Sequence, residues 1–390
     1  MIIPFPRFLI VSFLLSMISL APCGALNGIP AIYRFATSNP VSLRSLEKNF
    51  QRSTIKNQIM LRASLSTVNI DKAKPSPLAF PRILWRFTRP HTLVGSALAI
   101  PAIHALAAPS IKSFFSVTNF SAIIFAMLPA LLMNLYITGL NQITDVDIDK
   151  INKPDLPIAA GDLHVNVAIF VVLVALVTSL WMGFVNPSQG LNVALWGSGI
   201  LGTLYSLPPF RFKRFPLLAA FCISAVRGTI INAGFFSYAK HAAFGSESSS
   251  VIHYLLNDRA CMLSSAFFGI FGIVIALMKD VPDVSGDESA SVKTFPVRLG
   301  QKLIFDTSKN ILTSLFFVVA ASFIKSAFSD VKIMIKLMRA FVGTSAFVAG
   351  ISVNKEATKV NPQDSSGVYE YYMHLWKLFY ICYILLPLAR

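Results

Sequence analysis

Residues 141–163 read NQITDVDIDKINKPDLPIAAGDL and follow directly on residues 119–140, NFSAIIFAMLPALLMNLYITGL. Five carboxylates fall within eighteen residues at the end of a run apolar enough to lie in lipid. Asn141, Asp145 and Asp149 are spaced by four, which on a helix lines them along one face and leaves Asp147 as a solvated bystander. A second window, KDVPDVSGD at 279–287, repeats the spacing in Asp283 and Asp287, with Asp280 three residues before Asp283. Pro282 predicts that a helix breaks, kinks or restarts there.

Nine of the chain's eighteen carboxylates lie in 145–162 and 280–288. Charges at the mouth of a membrane cavity are costly and point to function. Two carboxylate faces meeting across a bundle repel unless a cation lies between them. All-oxygen ligands suit Mg²⁺, which keeps several waters and bridges to substrate phosphates. Arg211, Lys213 and Arg214, in PPFRFKRFP, lie near these windows. Lys213 and Arg214 fit as counter-charges for a diphosphate. Asp155, Asp162 and Glu288 are read as ordinary solvated loop residues.

The 390 residues are 54% hydrophobic and 13% charged, with mean hydropathy +0.63. Soluble domains carry about 25% charged residues, so the composition excludes an ordinary soluble enzyme. Nine apolar runs near the length of a membrane span follow, at about 92–109, 119–142, 163–185, 191–209, 216–237, 255–278, 303–324, 331–353 and 370–389. Backbone in lipid must satisfy its own hydrogen bonds, so an all-α membrane bundle is expected. Pro101 and Pro129 lie inside runs and predict kinks. With nine spans, both acidic windows and the basic cluster share one face with the N-terminal arm, and the Lys/Arg bias places that face in the cytosol-equivalent compartment. The four cysteines show neither a disulfide framework nor a metal pattern.

The N-terminal fifth differs. Residues 1–80 hold nine Lys/Arg against two carboxylates. Residues 1–25 have the pattern of a signal peptide, with a short apolar stretch behind Arg7 and small residues at Gly24 and Ala25. Residues 26–80, rich in Ser, Thr and basic residues, have the composition of a transit peptide. Together they suggest a plastid destination by bipartite targeting, as in algae with complex plastids, with the membrane domain at 81–390.

NQITDVDID fits NQxxDxxxD, and KDVPDVSGD fits KDxxDxxGD. These are the motifs of the UbiA superfamily of intramembrane aromatic prenyltransferases, which the chain resembles. It looks most like the plastid homogentisate prenyltransferases. The likeness extends to RPHT (89–92), INKPDLPIAAGDL (151–163), LYSLPPFRFKRFP (204–216), AVRG (225–228), VRLGQ (297–301) and WKLFYICYILLPL (376–388). Asp155 departs from it, where an aromatic Tyr is expected.

The resemblance implies nine helices around a central cavity. Asn141, Asp145 and Asp149 would hold one Mg²⁺, Asp283 and Asp287 another, and Asp280 could join either. The partners would be an isoprenoid diphosphate and homogentisate, within a plastid membrane and without nucleic acid. Lys213, Arg214, Lys279, Arg89 and Lys153 would neutralise the diphosphate. Tyr205 and Phe210 are candidate walls for the allylic cation, and His91 and Arg227 candidate contacts to the acceptor. The reaction would be prenyl transfer with loss of CO₂, for plastoquinone with a solanesyl donor, towards which the motifs lean, or for tocopherol with a phytyl donor.

Other readings are prenylation of chlorophyllide or a naphthoate, against which RPHT and KDxxDxxGD argue, and a CDP-alcohol phosphotransferase, whose DGxxAR pattern is absent. A cation transporter with acidic vestibules is a further reading. Transporters usually carry ionisable groups near mid-membrane, whereas here they lie at helix ends.

Overall fold

The computed structural model describes residues 79–186, 188–329 and 332–389, and the two targeting segments lie outside these apart from their last two positions. Among the described residues the chain is helical, with no strand. Nine helices of eighteen or more residues occur among them, one at each apolar run. They are α1 (Pro90–Ala107), α2 (Val117–Thr144), α3 (Val165–Val185), α4 (Gln189–Ser206), α5 (Pro216–Ala243), α6 (Arg259–Asp280), α7 (Gln301–Ala327), α8 (Ile333–Ala357) and α9 (Ser365–Leu385). Seven of them, all but α4 and α9, are long and apolar enough to cross a membrane by length and composition alone. Pro101 and Pro129 are both accommodated inside their helices, and the Pro129 carbonyl accepts a bond from Ser179 Oγ at 2.8 Å.

Local chemistry sets the helix ends. Asp258 starts α6 by accepting from the Ala260 and Cys261 amides at 3.0 and 3.2 Å, which moves the start four residues past the expected 255. α2 ends at Thr144 because Asp145 leaves helical geometry, at φ −118° and ψ 16°, and its carbonyl accepts the first bond of a new short helix, Val146–Asn152. The expected single helical face through Asn141, Asp145 and Asp149 is therefore split across two helices. Pro282 acts as anticipated. α6 stops at Asp280, and the short helix Val284–Ser289 begins behind Asp283.

The interior is closed by small residues and aromatic rings. A Cβ on Gly190 would meet Gly234 O and Tyr238 N at 2.5 Å, so α4 and α5 touch backbone to backbone there. Phe268 stacks on Tyr383 at 3.9 Å, and Phe379 packs against Phe268 and Phe271 at 5.3 and 5.2 Å, joining α6 to α9. Large side chains such as Phe170, Val177 and Trp181 on α3 point outward, as lipid-facing surface does.

Candidate active site

Three connections, the segments after α2, α4 and α6, converge on one small polar cavity of about 40 Å³. Its acidic lining is Asp145, Asp149, Asp280, Asp283 and Asp287, with Asn141 beside them. Asp145, Asp149, Asp283 and Asp287 are all buried. The two acidic windows therefore share one mouth, as the loop parity anticipates.

Each window is held by the other. Lys153 pairs with Asp283, and Asn152 Oδ1 accepts the Gly286 amide at 2.9 Å. A Cβ on Gly286 would lie 2.4 Å from that Asn152 oxygen, which explains the glycine of KDxxDxxGD in this chain. Gln301 holds the Val281 carbonyl at 2.8 Å, tying the second window to the start of α7.

Cations cover the carboxylates. Lys213 and Arg211 both bond Asp145, the latter at 3.0 Å, and Asn141 Nδ2 donates to the other oxygen of Asp145 at 2.8 Å. Lys279 bonds Asp280 at 2.8 Å, and Arg89 approaches Asp149 at 3.9 Å. Burial pulls the Lys213 ammonium down to about 8, against the opposing field of Asp145. Burial pushes Asp287 up to about 7, with Asp280 adding to the shift, and raises Asp149 against the field of Arg89.

Arg214 is exposed and lies off this cavity, contrary to the expectation that it faces a diphosphate. Arg211, three residues before it, reaches the Asp145 carboxylate instead. Pro216 opens α5, and the single turn Phe212–Arg214 before it puts 211 and 213 on one side and 214 on the other. The alternation of RFKRF carries that signal, which adjacency in sequence hides. Phe210 is 54% exposed and lines neither cavity. Asp147 is exposed and pairs with Lys150, and Arg86 bonds Asp162 at 2.6 Å and the Asp155 carbonyl, so these acids are structural or solvated.

The polar mouth opens into a second cavity of about 190 Å³, sharing Arg89, Asn141, Tyr205 and Lys279 with it. This cavity is mainly apolar, walled by α1, α2, α4, α5, α6 and α9. Tyr205 and Lys279 stand together at the junction, each lining both cavities. Arg227 lines the cavity, with its guanidinium 5.2 Å over the Trp376 ring. His91 lies behind this wall, its ring 5.2 Å from Trp376 and its carbonyl bonded by Tyr380 at 2.7 Å.

Among the described residues, no group of three His, Cys, Asp or Glu side chains converges enough to hold a metal unaided. The donor set still fits a hard cation. Asp149 Oδ2 is buried with no hydrogen-bond partner among the described residues, and oxygen donors from two loops face one small cavity. Such a set suits Mg²⁺ completed by water and phosphate.

Residues 92–378 match the UbiA prenyltransferase family. The chain belongs to that family. Among relatives of this UbiA member is homogentisate phytyltransferase 1, chloroplastic, of Arabidopsis thaliana, 37% identical over 78% of the chain and 75% of the relative. Another is homogentisate solanesyltransferase, chloroplastic, of the same plant, 31% identical over 93% and 91%. The fold is similar to that of a solved UbiA homolog from Archaeoglobus fulgidus bound to DMAPP and Mg²⁺, with TM-score 0.51 over 78% of this chain and 98% of that one, at 17% identity.

Proposed function

We propose that this UbiA member transfers an isoprenoid group from its allylic diphosphate to homogentisate in a plastid membrane. The observation that carries the proposal is the joining of a buried acidic and cationic mouth to an apolar cavity through Tyr205 and Lys279. The names of the plant relatives support the acceptor and the compartment.

Asn141, Asp145 and Asp149, with Asp280, Asp283 and Asp287, would hold Mg²⁺. The metal would neutralise the diphosphate as the allylic C–O bond breaks. Lys213, Arg211, Lys279, Arg89 and Lys153 would exchange their carboxylate partners for phosphate oxygens and stabilise the charge building on the leaving group. Tyr205 and the apolar wall below it keep water from the allylic cation and leave its π-face contacts weak enough not to trap it.

The donor has two readings. The motif segments favour a long, solanesyl-type chain and the plastoquinone route. The 37% identity to a phytyltransferase favours the tocopherol route. The cavity's reach supports the second. It runs from Asn141 to Ala130 along α2, about 16 Å at the helical rise. That suits a four-isoprene tail, whereas a nine-isoprene tail has to leave the bundle into lipid.

The test is a membrane assay with homogentisate, Mg²⁺, and phytyl, geranylgeranyl or solanesyl diphosphate in parallel, with EDTA and Asp145→Ala controls. A prenylated quinol from one donor, lost in both controls, is the expected result. No product from any donor refutes the acceptor.

A further inference from the structure

We infer that Arg227 binds the side-chain carboxylate of the acceptor and so selects acidic rings over neutral ones. The inference deepens the function proposed above and rests on it for the identity of the ring.

Arg227 differs from every other cation lining the two cavities. Arg89, Lys153, Lys213 and Lys279 each face a carboxylate of the chain. Arg227 makes no ion pair with a described residue, and its side chain has only the Trp376 ring beneath it and the phenols of Tyr372, Tyr380 and Tyr383 nearby. A guanidinium inside an apolar cavity without a counter-anion is costly, and the ring face offsets only part of that. The missing partner is an anion small enough for the cavity. A lone carboxylate matches the planar fork of the guanidinium, and the ring that carries it can lie against Trp376.

The backbone is built to present this residue. Ala225–Ile230 forms a π-helical turn in the middle of α5. Such turns recur at functional sites, and within a membrane the loosened carbonyls must find other donors. Asn232 supplies them, donating to the Arg227 carbonyl at 2.6 Å and the Gly228 carbonyl at 2.9 Å, while Tyr383 donates to Asn232 Oδ1 at 3.5 Å. Gly228 rests on Gly269 so closely that a Cβ would lie 2.5 Å from the Gly269 Cα, which fixes the turn against α6. Asn232 is thus a positioning residue for Arg227.

A consequence follows for release. During transfer the donor's C–O bond breaks with diphosphate leaving, a ring C–C bond forms and the ring proton is lost. The carboxylate departs as CO₂, and its electron pair takes up a proton to leave a methyl group. The product no longer has the group that Arg227 holds, so it is freed into lipid as the reaction completes.

The experiment compares homogentisate with toluquinol, the same ring without the carboxylate, on the purified full chain with Mg²⁺ and donor. Wild type is expected to prefer homogentisate. In Arg227→Gln, kcat/KM for homogentisate falls about a hundredfold, mainly through KM, because a buried charge-assisted pair is lost. Toluquinol turnover stays within about twofold, so the preference collapses, and Arg227→Lys restores part of it. Equal losses on both acceptors, or an unchanged preference, overturn the inference. Tryptophan fluorescence titrations with the two rings, read through Trp376, measure the same selectivity without turnover. If wild type forms no product, the proposed function fails, while the binding preference still decides the role of Arg227.

Discussion

Replacing Lys213 with Met is expected to change metal and diphosphate binding in opposite directions. The Lys213 ammonium is bonded to Asp145, a proposed metal ligand, in a nearly dry setting. Mg²⁺ must take that carboxylate away from the ammonium. A hydrogen bond to a charged group is worth about 1.5–3 kcal/mol. Removing this competitor therefore tightens Mg²⁺ alone by about 10- to 100-fold, at about 1.4 kcal/mol per tenfold. Arg211 stays at 3.0 Å, so Asp145 is not left uncompensated and the variant should fold. Inorganic diphosphate with saturating Mg²⁺ loses the same cation and weakens by a similar factor. Calorimetric titration of purified protein with Mg²⁺ alone, and with diphosphate at fixed Mg²⁺, reads both quantities. If both affinities fall together, Lys213 is holding the fold rather than guarding the site, and the exchange of partners is wrong.

Arg211→Ala is expected to raise KM for the donor about tenfold or more, while Arg214→Ala stays within about twofold, because only Arg211 reaches Asp145. For pH, Asp287 at about 7 keeps its proton in the metal-free protein up to neutrality, and Mg²⁺ must displace it. Mg²⁺ affinity is therefore expected to fall about tenfold per unit below pH 7, and Asp287→Asn flattens the slope in titrations from pH 5.5 to 8. The sign for the metal-free fold is opposite. A carboxyl raised from 3.8 to about 7 stabilises the protein below its ordinary range, and that stabilisation is lost as pH climbs to 7, which melting curves in EDTA will show. Gly190→Ala forces a Cβ to within 2.5 Å of two backbone atoms of α5, costing about 1–3 kcal/mol, and is expected to lower the melting temperature without changing KM.

The helix positions, the shared acidic mouth and the break at Pro282 were legible because each rests on a local signal: apolar run length, four-residue spacing, or a missing amide. The break at Asp145 was not, since nothing in TDVD distinguishes a carboxylate riding a helix from one ending it. Arg211 was hidden in a tribasic cluster whose turn geometry depends on where α5 begins. The role of Asn232 was also invisible in sequence, because the carbonyls it satisfies are freed only by the π-helical turn. Polarity within a membrane run marks a site, but the partner is chosen in three dimensions.

Arg89 and Arg211 both adopt left-handed backbone, at φ 50° and 41°, and they are two of the three non-glycine residues with positive φ among the described residues. That region suits Gly or Asn and burdens a long side chain. Selection for thermostability alone would therefore drift toward Gly or Asn at 89 and 211, raising the melting point while stripping two charges from the mouth. Stabilised variants for structural work should hold both positions fixed, and an arginine restored at either should lower the melting temperature even as it restores turnover.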